Sequence, residues 1–254
     1  MCICKSCLGF LERTPNVRDL RLSRHLNAEG DGDLVTVDLE FLKCLKILCL
    51  REWEKSRAST RLKLPPTLTQ LTLIQTRLKW EKLSIILKTL PSLEVLKLSR
   101  NSCSGPVWNT TELEEGFSQL KYLRLCCLDI EDWIASEDQF PKLEVLVIQN
   151  CNSLNVIPIE FANLSELREV KVESSGLSVE ESAMKIQEEQ RSIKGEDGCL
   201  NLLLVSYYSI CFLALIKILW AGADESGQKV GRGVGEEISI WSCGNEATYN
   251  VVEK

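Results

Sequence analysis

Histidine is nearly missing from this sequence: His25 is the only one in 254 residues. Histidine is the side chain that most often serves as a general acid or base and as a metal ligand, so its scarcity removes the commonest route to both chemistries. The motifs Gly-x-Ser-x-Gly and His-Glu-x-x-His are absent as well. We therefore predict a protein that is not an enzyme and has no catalytic residues.

Phosphate-binding and metal-binding motifs are also lacking. No Gly-x-x-x-x-Gly-Lys-Ser/Thr occurs, and the glycines between Gly231 and Gly235 do not complete a dinucleotide-binding fingerprint. Twelve cysteines are present, but their one cluster, Cys2, Cys4 and Cys7, has no second Cys/His pair at zinc-finger spacing. We expect no cofactor and no metal, and we expect the cysteines to stay reduced inside the cell.

The sequence has neither a basic excess nor a visible signal peptide. Asp and Glu number 36 against 30 Lys and Arg, which gives a net charge of −6 and argues against nucleic-acid or anionic-membrane binding. The start has no charged segment followed by an apolar stretch. We expect a cytoplasmic protein with no nucleic-acid partner.

What the sequence does contain is a repeat. An apolar residue, two variable residues, an apolar residue, one variable residue and an apolar residue recur seven times, at steps of 23 to 28 residues. This is the leucine-rich-repeat signature. The seven triplets are Val17/Leu20/Leu22, Leu45/Leu48/Leu50, Leu68/Leu71/Leu73, Leu93/Leu96/Leu98, Leu120/Leu123/Leu125, Leu143/Leu146/Ile148 and Leu167/Val170/Val172.

The spacing within each triplet predicts the fold. Its last two apolar residues lie two apart, so on a short strand they point to the same side. Stacked repeats bury that side between neighbouring strands, which predicts an α/β leucine-rich-repeat solenoid with a curved parallel sheet and an irregular or helical convex side. Three residues after the triplet, Thr76, Asn101 and Cys151 are expected to hydrogen-bond loop backbone inside the turn.

The composition divides the chain into four parts. Residues 1–16 are expected to be a truncated leading repeat, 17–176 the seven repeats, 177–195 a C-terminal capping helix, and 196–254 an apolar segment with a disordered Gly-rich tail. Ser178-Val-Glu-Glu181 matches a capping box, so Ser178 is expected to cap the start of the helix.

Residues 199–216 allow two interpretations. They are uncharged and just long enough for a membrane-spanning helix, but they include polar residues such as Asn201 and Tyr207. The alternative is that the segment Leu200–Val205 forms a final buried strand and the remainder has no regular structure.

Several stretches resemble one protein family. They are Leu64-Pro-Pro-Thr-Leu-Thr-Gln-Leu-Thr-Leu73, Phe140-Pro-Lys-Leu-Glu-Val-Leu-Val-Ile-Gln-Asn-Cys-Asn-Ser-Leu154 and Ser182-Ala-Met-Lys-Ile-Gln-Glu-Glu-Gln190. They are similar to the repeats and the following helix of plant intracellular nucleotide-binding leucine-rich-repeat immune receptors of the coiled-coil class, in the late-blight resistance group of the nightshade family. The resemblance covers about residues 1–194.

The resemblance implies a role in defence. In this family exposed strand residues contact pathogen effectors or hold a nucleotide-binding switch domain inactive, so the implied partner is one of these proteins. Since these 254 residues lack a phosphate loop, we expect that they do not include the ATP/ADP-binding domain of the family.

The repeat pattern also identifies the residues that face outward from the strands. The central column is Arg21, Cys49, Thr72, Lys97, Arg124, Val147 and Lys171. The candidate partner-binding residues on the concave face are Arg21, Arg51, Thr72, Lys97, Tyr122, Arg124, Gln149 and Lys171. Tyr122 beside Arg124 is the expected anchor, because Tyr and Arg are favoured at interface hot spots. The alternative is a solvated strand face of mixed charge.

Two other functions are compatible with the sequence. One is a membrane-attached extracellular leucine-rich-repeat receptor with a span at 199–216, which the glycosylation sequons Asn109-Thr-Thr111 and Asn163-Leu-Ser165 would suit. The other is a non-functional truncated fragment. Glycosylation of either asparagine would distinguish the extracellular receptor from a cytoplasmic protein.

Overall fold

The computed structural model describes residues 11–23, 37–52, 62–111, 116–195 and 200–205. The predicted Gly-rich tail, the Cys2–Cys7 cluster and His25 lie outside these residues. In chain order the strands are β1 (Asp19–Ser23), β2 (Val37–Asp38), β3 (Ile47–Arg51), β4 (Leu62–Lys63), β5 (Gln70–Ile74), β6 (Leu78–Lys79), β7 (Val95–Ser99), β8 (Cys103–Ser104), β9 (Val107–Asn109), β10 (Tyr122–Cys126), β11 (Asp132–Ile134), β12 (Val145–Gln149), β13 (Glu169–Glu173) and β14 (Asn201–Val205).

Eight of these strands form one parallel sheet. Its order is β1-β3-β5-β7-β10-β12-β13-β14, so each repeat places its strand beside that of the preceding repeat. The remaining strands make two-residue or three-residue parallel pairs, β2 with β4, β6 with β8 and β9 with β11. The predicted class, an α/β leucine-rich-repeat solenoid, is confirmed.

The register of the sheet follows the apolar triplets. Leu20 pairs with Leu48, and the same position continues through each following strand to Val170 and Leu202. Along a strand such as β5 the burial alternates, with both leucines inaccessible and their neighbours half-buried. The apolar side chains of all repeats thereby join into a single core. A one-residue slip would turn every leucine outward, so the triplets fix the register.

Helices and turns cover the opposite side of the core. Helix α1 spans Trp80–Lys88 and helix α2 spans Leu177–Lys194, and short 3-10 helices occupy Glu137–Gln139 and Ile159–Asn163. Within the described residues no helix is both long enough and apolar enough to cross a membrane.

Aromatic rings form a second ladder within this side of the core. Trp108 stacks between Trp80 and Trp133, with ring centroids 4.8 and 5.1 Å apart. Phe161 continues the ladder edge-on at 4.9 Å from Trp133. All four rings are buried. The sequence offered a signal, because the three tryptophans follow one another at steps of 28 and 25 residues, which are repeat lengths.

Six strands of the large sheet are each followed directly by a non-glycine residue in the left-handed region. They are Glu52, Gln75, Arg100, Cys127, Asn150 and Ser174, with φ between 46° and 54°. Each turns the chain out of the sheet while its backbone stays in the hydrogen-bond ladder, as when Gln75 N–H donates to the Ser99 carbonyl at 3.1 Å. Left-handed backbone is unfavourable for residues other than glycine, because the Cβ atom comes too close to the following carbonyl oxygen.

The predicted buried polar position in the turn is right for two repeats and wrong for one. Thr76 is fully buried and its hydroxyl donates to the Ser102 carbonyl at 2.6 Å. Cys151 is also buried, its thiol lies 3.5 Å from the Gln149 carbonyl, and burial raises its pKa to about 11. Asn101, however, is exposed, and Ser102 takes the buried position instead. Arg100 and Asn101 are both left-handed, so this turn is one residue longer.

The capping-box prediction is wrong. Helix α2 starts at Leu177 with Gly176 as its N-cap, and no side chain caps it. Ser178 is exposed, whereas the Ser182 hydroxyl, one turn further on, accepts the Ile157 N–H at 3.0 Å. The helix is therefore anchored through its buried side to the loops of earlier repeats rather than through its first turn.

The sheet continues past helix α2. Strand β14 pairs in parallel with β13, so residues 201–205 of the uncharged segment 199–216 are strand and not membrane helix. The alternative interpretation of Leu200–Val205 as a strand is thus confirmed, but its predicted burial is wrong: only Leu200, which precedes the strand, is buried, and Asn201–Val205 are half-buried or exposed. Residues 206–216 lie outside the described part of the chain.

The left-handed residues that follow the strands give a testable prediction. Replacing Gln75 (φ 54°) with valine should lower the free energy of unfolding by about 1–2 kcal/mol, because a β-branched side chain clashes with left-handed backbone. Glycine at the same position should cost less than about 0.5 kcal/mol, since it has no Cβ. Urea unfolding followed by circular dichroism measures both. Gln70→Val, on extended backbone in β5, is the matched control; equal losses at both sites would contradict the conformational explanation.

Candidate functional site: the concave face of the sheet

The outward residues of the sheet form the column that the sequence predicts. The pairing joins Arg21 to Cys49, Cys49 to Thr72, Thr72 to Lys97, Lys97 to Arg124, Arg124 to Val147 and Val147 to Lys171. Strand β14 extends it by Leu203. Neighbouring strands lie about 4.8 Å apart, so adjacent members of the column are within reach of one another.

The centre of this face holds a compact group of polar side chains, which we call the central cluster: Lys97, Tyr122, Arg124, Cys126 and Gln149. The Lys97 ammonium lies over the Tyr122 ring, 5.5 Å from its centroid. An Arg124 Nη2–H donates to Gln149 Oε1, which also lies 3.5 Å from the Cys126 thiol. Neighbouring strands β7, β10 and β12 supply these residues, so the repeat register builds the cluster.

Gln149 is the least exposed of the predicted site residues, at 8%. Its amide oxygen accepts a hydrogen bond from the Arg124 guanidinium on the neighbouring strand β10, and this bond fixes the orientation of the guanidinium. Arg124 Nε is buried without a hydrogen-bond partner. A buried donor left unpaired costs about 1–3 kcal/mol, so an approaching acceptor that reoriented this guanidinium would recover part of that cost.

Burial also sets the protonation of two side chains on this face. It raises the pKa of the Tyr122 hydroxyl, with nearby Arg124 and Lys171 acting in the opposite direction. It likewise raises the pKa of the Cys49 thiol against the pull of the Arg21 charge. Tyr122 therefore remains a neutral hydrogen-bond donor at physiological pH, beside two cations.

The other predicted residues lie outside the central cluster. Lys171 makes an ion pair with Glu173 on its own strand β13. Arg21 lies 3.8 Å from Asp19, and their side chains are 80% and 47% exposed, so solvent screens that pair. Arg51 is exposed and Thr72 is half-buried. These positions add accessible charge and polarity along the column, and Lys171 acts on the cluster through its charge near Tyr122.

Sequence reasoning missed two features of this face. Val147, the apolar member of the column, is only 8% exposed and forms part of its floor. Cys126 contributes a thiol to the cluster because alternation along β10 places it on the same face as Tyr122 and Arg124. In the described part of the chain, no group of three or more His, Cys, Asp or Glu side chains is placed to hold a metal ion. The arrangement is suited to contact with a partner.

Comparison with known proteins identifies relatives for part of the chain. No protein-family model matches it. In Solanum demissum, the late blight resistance protein homolog R1B-23 is 34% identical over 114 residues, or 45% of this chain, and the homolog R1B-16 is 37% identical over 126 residues, or 49%. The late blight resistance protein R1-A is 43% identical over 74 residues, or 29%.

These alignments cover a small region of each relative: 9% of R1B-23, 10% of R1B-16 and 6% of R1-A. The chain thus spans about a tenth of the length of the curated relatives that it matches. About half of the chain is homologous to a part of late blight resistance proteins, which confirms the resemblance predicted from its repeats.

The hydrogen bond within the central cluster can be measured. A double-mutant cycle of Arg124→Met and Gln149→Leu should give a coupling energy of about 1–2 kcal/mol, because a charged donor makes a direct, partly buried hydrogen bond to Gln149. The control pair is Lys121 and Glu94, 3.3 Å apart with side chains 45% and 46% exposed, for which we expect less than about 0.5 kcal/mol. Equal coupling in both pairs would contradict the view that Gln149 holds Arg124 in place.

Proposed function

We propose that this chain is the leucine-rich-repeat region of an intracellular plant immune receptor and that it binds a protein partner through its concave face. The observation that carries this proposal is the homology of half the chain to late blight resistance proteins, combined with a continuous sheet face bearing the central cluster. Binding is favoured over catalysis because the cluster holds cations, an aromatic ring, an amide and a thiol, and none of its members is a histidine or carboxylate that could serve that thiol as a base.

The central cluster has the chemistry of an interface anchor. Tyr122 offers a ring and a hydroxyl, and Lys97 and Arg124 flank it with positive charge. Tyr and Arg are enriched among residues that carry most of the binding energy at interfaces, especially where surrounding contacts exclude water. Val147 beside Arg124 gives the cluster an apolar neighbour of low exposure. We infer that the cluster is the centre of the interface.

The partner is expected to present an acidic patch. Four of the seven predicted column residues are basic, although the chain as a whole carries a net charge of −6. Opposite potentials across an interface favour encounter and fix orientation. Two partners fit this role: a pathogen effector, and the nucleotide-binding domain of a receptor that the repeats restrain. Both would bind the same surface, so the two candidates are distinguished by measuring the affinity of the chain for each protein separately.

Charge reversal tests the surface. The double variant Lys97→Glu/Arg124→Glu should weaken binding at least about tenfold, or about 1.4 kcal/mol, to a recombinant nucleotide-binding domain of a coiled-coil immune receptor or to a secreted protein of the late-blight pathogen that binds the unaltered chain. Biolayer interferometry at physiological salt provides the affinities. Circular dichroism confirms that the variant is folded, and Lys97→Glu alone is the milder version.

A matched control separates a local contact from overall charge. Lys88 on α1 and Lys185 on α2 are exposed and lie on the helices rather than on the sheet. The variant Lys88→Glu/Lys185→Glu makes the same change in net charge and should leave affinity within about twofold, since distant exposed charges are screened. Equal weakening by both double variants would reject the concave face as the interface.

The alternative, an extracellular membrane-attached receptor, predicts modified asparagines. Asn163 is exposed at the end of a 3-10 helix, and Asn109 accepts hydrogen bonds from the Thr111 N–H and hydroxyl. For an intracellular receptor we expect tagged chain from leaf cells to fractionate as soluble protein and to show no mobility change after glycosidase treatment. A membrane-integral chain with a glycosidase shift would instead establish the extracellular receptor.

A further inference from the structure

Two thiols that are neighbours in sequence also touch in space. Cys126 ends strand β10 and Cys127 follows it, and their sulfur atoms are 3.6 Å apart. Both are reduced and half-buried. Consecutive side chains of an extended strand normally point to opposite faces. Here they meet because Cys127 has left-handed backbone, with φ of 52°.

The backbone around this pair is fixed from both sides. The Cys127 N–H donates to the Gln149 carbonyl at 2.8 Å on one neighbouring repeat. On the other, the carbonyls of Cys126 and Cys127 accept the N–H groups of Arg100 and Asn101 at 2.9 and 3.0 Å. The contact between the thiols is therefore imposed by the repeat ladder rather than by a mobile turn.

The two buried cysteines of the described repeats, Cys103 and Cys151, differ from this pair. Burial raises the pKa of Cys103 to about 12 and that of Cys151 to about 11, so their thiols remain protonated at neutral pH. A protonated, inaccessible thiol reacts slowly, because the thiolate is the nucleophile. Cys126 and Cys127 combine partial exposure with a partner sulfur in contact.

We propose that Cys126 and Cys127 form a two-thiol modification site on the rim of the central cluster, which hydrogen peroxide closes into a vicinal disulfide. One thiol loses its proton, and the resulting thiolate attacks peroxide, becomes a sulfenic acid and expels hydroxide, which takes up that proton as water. The second thiol likewise loses its proton, and its thiolate attacks the sulfenic sulfur and expels hydroxide, which leaves as the second water. In sum two thiols and one peroxide give one disulfide and two waters, with both sulfurs oxidised and the peroxide oxygens reduced.

The ring is expected to open readily. The Cα atoms of consecutive residues are about 3.8 Å apart, below the usual range of about 4.4–6.8 Å for bridged cysteines, so the ring is strained. Strained disulfides are the easily reduced ones. Dithiothreitol should therefore restore both thiols without unfolding the chain, which makes the site reversible.

Closure would act on the central cluster. It removes the Cys126 S–H beside Gln149 Oε1, and it distorts the peptide whose N–H bonds the Gln149 carbonyl. Gln149 in turn holds Arg124. Oxidation is therefore expected to loosen Arg124 and to weaken partner binding, a consequence that rests on the proposed function. The chemistry of the thiols does not, and it can be tested with no partner present.

The sequence provides a suitable assay. Trypsin releases Leu125–Lys142, which contains both cysteines and no other, and it releases Cys103 and Cys151 in the single-cysteine peptides Asn101–Lys121 and Leu143–Arg168. The full chain is treated with one equivalent of hydrogen peroxide while folded, then denatured, alkylated with iodoacetamide, digested and weighed by mass spectrometry.

We expect Leu125–Lys142 to lose two hydrogen atoms and to take no alkyl group, with conversion on the order of tenfold above any oxidation of the two buried cysteines. Dithiothreitol before alkylation should restore two alkyl groups. The proposal is overturned if this peptide keeps both thiols, gains oxygen at one sulfur, or becomes linked to another peptide.

Two cysteine variants test whether the loss of hydrogen requires the Cys126–Cys127 pair. Cys127→Ser should abolish the loss of hydrogen, whereas Cys49→Ser, at another half-buried thiol of the same face, should leave it unchanged. Phenylarsine oxide tests the proximity of the two thiols without requiring the strained disulfide ring. It condenses with two thiols, releases one water and bridges them through arsenic. It should add once to Leu125–Lys142 and fail with Cys127→Ser. Failure to bridge the unaltered chain would show that the two sulfurs do not meet.

Discussion

The described repeats of this chain depend on the stacking of equivalent apolar layers in strict register. Leu20, Leu48 and their successors pair at the same position of every strand, so each repeat buries its leucines against the next. Such a core is assembled from neighbour contacts, and each added repeat contributes an interface rather than a separate core. The outward positions are thereby freed from any role in the core, and the side chains on them can vary without changing the register.

The concave face shows how inward residues form the core while outward residues are left for contacts with a partner. The strands place Lys97, Arg124 and Gln149 on three successive repeats, and the ladder holds their backbones at fixed separation. Their interactions are then decided by side-chain chemistry alone: a cation over a ring, and a guanidinium held by a buried amide. An interface built this way is ordered before a partner arrives, which reduces the entropy lost on binding.

Sequence reasoning predicted the sheet, its register and the column, because the apolar triplets are strictly local signals. It placed Asn101 in the buried turn position incorrectly, since two consecutive left-handed residues lengthen that turn and nothing in the triplet reports them. It could not anticipate the burial of Gln149, which depends on Arg124 and Cys126 from a neighbouring strand. It also assigned a cap to Ser178, whereas the tertiary contacts of Ser182 anchor helix α2.

The tryptophan ladder has a geometrical consequence for whatever meets the concave face. Strands on that face are about 4.8 Å apart. The stacked rings of Trp80, Trp108 and Trp133 on the other side repeat at 4.8 and 5.1 Å, nearly the same interval. Wedge-shaped repeats would need unequal intervals on their two sides. Between the repeats that carry Lys97, Tyr122 and Arg124 the ring side is therefore spaced much like the strand side, so the concave face curves only gently at the central cluster.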